Sequence, residues 1–198
     1  MPYRRTPAVQ ARMDAQRASV LNAAIELLAE QGYAGCSMAA VAAKAGIATG
    51  SMYQHFENKA ELAVELFRTV CAREVAAVVE ASQEGELVDR VVAVIETFAG
   101  RALKAPRLAY ALLAEPVDPA VDEERLIFRR AFRDVFAERI AEAVDQGVLP
   151  PQDPHLTAAA LVGAGAEALV GPLVDGAASP GTVPALVQFT LRALGGSA

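Results

Sequence analysis

Between Thr49 and His55 the chain carries a run of hydrogen-bonding side chains: Thr49, Ser51, Tyr53, Gln54 and His55, with Gly50 among them. Gln54 has the paired donor and acceptor that match an adenine edge in a major groove. Ser37 and Lys59 lie at the starts of two further helices, where free backbone N–H groups and the helix dipole favour an anion such as phosphate. This is the chemistry of recognition. No Gly-rich phosphate loop, nucleophile elbow or metal-ligand cluster accompanies it. His55 and His155 are too few and too far apart for a His-based metal site. Cys36 and Cys71 make neither a disulfide framework nor a four-thiolate zinc site. No catalytic residue, metal or cofactor is assigned, and an enzyme would have to rely on carboxylates that no motif pairs.

Helices must position these groups. The apolar spacing predicts a first helix from about Gln10 to Glu30, with Val20, Leu21, Ala24, Leu27 and Leu28 on one face and Gly32 as a left-handed cap. Ser37 caps a short second helix, Met38 to Ala45. Gly46-Ile47-Ala48 then turn the chain into a third, from about Thr49 to His55. Two short helices joined by a glycine-containing turn form a helix–turn–helix, over about 37–56. The alanines of the second helix let the third cross it closely, and short polar residues open the third helix, where base edges come within reach. Asn58, with Glu61 three residues on, predicts a capping box for a fourth helix ending near Ala81, with Leu62, Leu66, Val70 and Val75 on its buried side. Further helices are predicted at about 87–104, 107–114, 119–146, 155–171 and 183–194, with breaks at Pro106, Pro116, Gly147, Pro150 and Pro172. No alternating segment suggests a strand, so the fold class is all-α.

Composition agrees. Of 198 residues 43 are alanine, the best helix former, and tryptophan is absent. The hydrophobic share of 54% and charged share of 21% exclude a disordered chain. A net charge of −6 excludes a uniformly basic coat, yet residues 1–59 carry six basic against four acidic side chains. That asymmetry, with Arg4 and Arg5 in a basic tail, points the N-terminal part toward a polyanion. The Met1 start shows no secretory leader, and the apolar stretch from His155 to Val174 holds nine alanines and glycines among its 20 residues. It reads as a buried helix rather than a membrane span. A cytoplasmic protein without membrane contact is expected.

Residues 17–67 resemble the N-terminal domain of the TetR family of bacterial transcriptional repressors. The resemblance is carried by Ala23-Ala24, Leu27-Leu28, Gly32-Tyr33, Ser37-Met38, Val41-Ala42, Ala45-Gly46-Ile47, Gly50 to Tyr53, His55-Phe56, Asn58-Lys59 and Leu62. One departure is Ala48, where the family more often has Ser or Thr as a cap. The resemblance implies a three-helix DNA-binding domain, here residues 1–60, and a larger helical effector-binding and dimerisation domain, residues 61–198. By position, Thr49, Ser51 and Gln54 would read bases, and Gly50 would let the backbone approach. Tyr53 and His55 would touch phosphate with Ser37 and Lys59, and Arg4 and Arg5 would form an arm. The competing readings are plainer: Tyr53 packing on the first helix, His55 as a cap, Gln54 in solvent. Phe56 reads as core, and Cys36 as a small buried residue rather than a redox switch.

In the second domain, Phe128, Phe132 and Phe136 fall on one stripe, and Phe98 and Tyr110 are further candidates for an effector lining. Glu96 and Glu167 lie inside apolar stretches. If buried, each needs a partner such as Arg101 or Arg129, an interface, or a cationic ligand. The small residues of 155–171 and the apolar face of 183–194 suit a four-helix homodimer interface. The expectation is a dimeric repressor that binds double-stranded DNA at a near-palindromic operator and is released by a small-molecule effector. The alternative is a helical small-molecule-binding module with a vestigial DNA-binding half.

Overall fold

The structure, a computed structural model, describes residues 6–176 and 179–195. Those residues form nine helices and no strand: α1 (Pro7–Gly35), α2 (Met38–Lys44), α3 (Thr49–Met52), α4 (Lys59–Ala81), α5 (Leu87–Lys104), α6 (Pro106–Leu113), α7 (Pro119–Asp145), α8 (Pro154–Asp175) and α9 (Thr182–Ala193). Arg4 and Arg5 lie outside the described residues.

Local chemistry explains most boundaries. The Ser37 hydroxyl accepts the Ala40 N–H at 3.1 Å and starts α2. Gly46 turns the chain at φ +69°, and the Ile47 N–H returns to the Ala42 carbonyl at 3.0 Å. Ala48 opens α3 without a side-chain cap. The Asn58 side chain accepts the Glu61 N–H at 2.9 Å and starts α4. The Glu61 carboxylate reaches the Glu57 N–H rather than that of Asn58, so the reciprocal bond of the box is displaced by one residue.

Three boundaries differ from expectation. Helical structure in α1 resumes beyond Gly32, whose φ of +70° kinks the chain, and runs on to Gly35. α3 is only four residues long, so Tyr53, Gln54 and His55 lie in the turn beyond it; the His55 and Phe56 N–H groups both bond to Met52 carbonyl oxygen. α8 passes through Pro172 and stops at Gly176. A proline this near a helix end removes one hydrogen bond, the one that the carbonyl of Ala168, an exposed residue, would accept.

The expected faces are largely the observed ones. Val20, Leu21, Ala24, Leu27 and Leu28 of α1 are buried, as are Leu62, Leu66 and Val70 of α4, while Val75 is only partly covered and Val78 completes that side. One continuous core runs from the N-terminal helices into the bundle of α5 to α9. α4 carries it across: Phe67 meets Phe128 of α7 edge-on at 6.1 Å between ring centroids. α8 is long and apolar enough to cross a membrane by length and composition. It packs against α5, α6, α7 and α9.

Candidate nucleic-acid interface and effector pocket

The helix–turn–helix holds its polar residues outward because its apolar ones are fully used. Met52 and Phe56 are buried with Val41 and Ala42 under the motif. Thr49, Gly50, Tyr53 and Gln54 are consequently exposed, Tyr53 at 58%. Tyr53 is more exposed than a half-buried side chain. Ser51 and His55 are half-buried. Nothing lies within 4 Å of the position a Gly50 side chain would take, so the front of the motif is open. Ser37 and Lys59, at the starts of α2 and α4, are both exposed. The Ser37 oxygen caps α2, which leaves its hydroxyl proton free to donate. The His55 Nε2 is buried and has no hydrogen-bond partner among the described residues.

Basic charge beside the motif is partly committed elsewhere. Lys44 bridges to Glu26 and Glu30 of α1 at 3.2 and 2.7 Å. Arg17 pairs with Glu65 at 2.8 Å and lies 4.8 Å over the Phe56 ring, which ties α1 to α4. The Glu65 carboxyl is thereby held below its ordinary range, chiefly by the Arg17 hydrogen bond. Cys36 donates weakly to the Ala24 and Gly32 carbonyls. Burial pushes its thiol up to about 11 and raises that of Cys71 further. Neither is an available thiolate at neutral pH, so Cys36 behaves as a small buried residue.

Helices α5, α6 and α7 border a hollow of ≈ 200 Å³ whose lining includes Phe98, Ala102, Leu108, Ala109, Leu112 and Phe128. Phe98, Leu113 and Phe128 also border a narrow neck of ≈ 20 Å³ beside Phe132 and Phe136. The rings of Phe98 and Phe132 stand 5.1 Å apart, and those of Phe128 and Phe132 4.8 Å, all edge-on. The phenylalanine stripe on α7 is thus both core and wall.

The other pocket candidates fall elsewhere. Tyr110 is half-buried against the core but outside both linings. Glu96 is exposed on the outer side of α5, and Arg101 pairs with Glu74 at 2.6 Å instead. Glu167 is exposed in a groove that also holds Arg129, without an ion pair to it. Neither carboxylate is buried, because each falls just off the inward face of its helix. The buried carboxylate among the described residues is Glu124, paired with Arg68 of α4.

Two features had no sequence signal in the motif. The Glu115 carboxylate, just beyond α6, accepts the Tyr33 N–H. The arginines of α7 gather beside the α8 groove; their spacing at 129, 130 and 133, beside Phe128 and Phe132, was the available clue.

Comparison with known proteins gives a consistent picture. A 49-residue segment, 25% of this chain, is 37% identical to the fatty acid metabolism regulator protein of Bacillus subtilis (strain 168) and spans 25% of that protein's length. The fold resembles FadR, the fatty acid degradation regulator of Bacillus halodurans, with TM-score 0.76 and 18% identity over 96% of this chain and 97% of that one. It resembles FadR of Bacillus subtilis in complex with stearoyl-CoA equally, at 0.76 and 18% over 91% and 99%. A TetR transcription regulator from Haloarcula marismortui gives 0.80 at 17% identity over 92% and 97%. The sequence profile of the bacterial regulatory proteins of the tetR family matches residues 20–66, the segment that carries α2, α3 and their supports. Residues 20–66 thus match the tetR family of bacterial regulatory proteins, and over about nine-tenths of its length the chain has the fold of solved TetR-family regulators.

Proposed function

We propose that the protein is a cytoplasmic homodimeric repressor that holds a near-palindromic operator and lets go when a small molecule enters its C-terminal domain. The observation that carries the DNA half is the outward presentation of Thr49, Gly50, Tyr53 and Gln54 above a buried Met52–Phe56 anchor. Thr49, Ser51 and Gln54 read base edges; Ser37, Tyr53, His55 and Lys59 hold phosphates. Two such motifs on a two-fold axis meet successive major grooves about 34–36 Å apart. A vestigial DNA-binding half has no need to keep Tyr53 exposed or the Gly46 turn intact.

The dimer reading rests on α8 and α9. Leu156, Ala160, Gly163, Glu167 and Val174 make an exposed stripe along α8, and Phe189 is 47% exposed on α9. Small residues there let a second copy approach closely.

The effector reading rests on the phenylalanine-lined hollow. A FadR of this fold is known in complex with stearoyl-CoA, which supports a ligand with a long apolar part here. Release requires the ligand to bind the DNA-free arrangement more tightly than the DNA-bound one.

The test is selection of bound fragments from random and genomic DNA at near-physiological salt. Recovery of a near-palindromic site, in lower yield with Tyr53→Ala and Lys59→Ala, supports the reading. No enriched site from a folded dimer overturns it in favour of the small-molecule carrier.

A further inference from the structure

The groove between α7 and α8 has a volume of ≈ 370 Å³ and is unlike the phenylalanine hollow. Arg129, Arg130 and Arg133 of α7 line it, with Glu167 of α8 as the opposing charge. Among the described residues, Arg129 and Arg130 make no ion pair, while the other arginines of α7 all do: Arg125 with Asp122, Arg133 with Asp134, Arg139 with Glu138 and Glu142. A chain of net charge −6 therefore keeps two uncommitted guanidinium groups side by side at one mouth.

That groove adjoins apolar space. Arg129, Leu113, Val162 and Ala166 border the groove and the neck alike. Phe98, Leu113 and Phe128 border the neck and the ≈ 200 Å³ hollow. The three spaces share walls: the arginine-lined groove adjoins the small phenylalanine-walled space, and that space adjoins the apolar hollow. Arg129 is the charged residue of the neck.

We infer that the groove receives the anionic head of an amphipathic ligand whose linear apolar tail passes the phenylalanine neck into the chamber. This rests on the reading of the hollow as the effector site. A guanidinium suits carboxylate and phosphate alike, since its planar fork offers paired donors. The narrow neck suits a single extended chain rather than a fused ring system. A carboxylate head and the phosphates of a nucleotide thioester are the two sources of the same chemistry. Glu167 limits affinity, because it repels the head that the arginines attract.

The experiment titrates the full-length dimer with lauroyl-CoA, laurate, dodecanol and free CoA, below micelle-forming concentrations, by calorimetry. An anionic twelve-carbon probe binds at least about tenfold more tightly than dodecanol, as expected for a charge-assisted hydrogen bond. Each methylene removed from the tail weakens binding about fourfold. Arg129→Gln with Arg130→Gln weakens the anionic probes far more than dodecanol, so the advantage of the anion is lost. Glu167→Gln tightens the anionic probes alone, a gain that misfolding does not produce. Each variant is checked for dimerisation by ultracentrifugation, since Glu167 lies on the exposed stripe of α8.

Laurate binding as tightly as lauroyl-CoA assigns the head to a carboxylate; a marked preference for lauroyl-CoA assigns it to nucleotide phosphates. Equal binding of dodecanol and laurate, indifferent to the arginines, overturns the head site and leaves the effector pocket standing. Free CoA binding as well as lauroyl-CoA overturns the tail. Binding by none of the four overturns both this site and the apolar effector pocket.

Discussion

The Glu115 carboxylate accepts the Tyr33 backbone N–H through both oxygens, each at 3.1 Å, and so joins the segment just beyond α6 to the turn that leads into the helix–turn–helix. The contact needs Gly32. Its φ is +70°, and a β-carbon there would stand 2.9 Å from a Glu115 oxygen. Glu115 itself is held from behind: the Arg125 guanidinium donates to the carbonyls of Ala111, Leu112 and Glu115. Leu108, Ala109, Leu112 and Leu113 of the same α6 line the hollow, so whatever moves α6 also pulls on the Gly32–Tyr33 turn.

Breaking this contact is expected to lower stability and alter operator binding together. Glu115→Ala leaves the buried Tyr33 N–H without its acceptor and costs about 1–3 kcal/mol. Gly32→Ala costs more, because it adds positive-φ strain to the collision. The double variant recovers part of that excess, since the collision is gone and the strain stays. Urea unfolding of the three variants measures this as a double-mutant cycle; strict additivity contradicts the geometry.

On the DNA face, Tyr53→Phe and Lys59→Ala are expected to leave stability within about 0.5 kcal/mol, since both side chains are exposed. Lys59→Ala weakens operator binding uniformly across sequences and lowers the salt slope by about one. Gln54→Ala instead relaxes preference at one base pair. Fluorescence anisotropy with matched and substituted operators at several salt concentrations separates the two patterns.

Phe189→Asp places a charge on the exposed apolar face of α9. The protein stays folded and sediments as a monomer, and its operator affinity falls by at least about a hundredfold, because two linked half-sites become one. A dimer that survives this change locates the interface elsewhere.

The Glu65–Arg17 pair gives a pH signature. The carboxyl is depressed below its ordinary value of 4.5 in the folded chain, so its contribution is complete above that value and is lost as pH falls through the depressed one. Both side chains are about one-third exposed, which keeps the effect modest. Glu65→Gln removes this dependence, so its unfolding midpoint should fall less steeply than that of the parent below about pH 4.5. Parallel curves would mean that the pair is not closed in solution.

Much of this architecture was legible in advance because it is written in short-range patterns. Ser37, Gly46, Asn58 and the 3.6-residue spacing of Val20, Leu21, Ala24 and Leu28 act over a turn or two of chain, and they set helix starts, the turn and the buried faces. Local pattern was weaker where several outcomes were similar in energy. α3 ends at Met52, where the chain turns to carry Phe56 into the core, and α8 passes through Pro172 less than one turn from its own end at Asp175.

The sequence by itself determined an all-α chain with a helix–turn–helix whose polar residues face outward, since capping, periodicity and turn chemistry are properties of neighbouring residues. Only the tertiary structure decided which side chains far apart in the chain meet. It turned Glu96 and Glu167 to solvent, brought Glu115 to Tyr33 across 82 positions and set Arg129 at the edge of a phenylalanine-lined hollow. Helical spacing gives the face a residue occupies, whereas helix packing decides what that face touches.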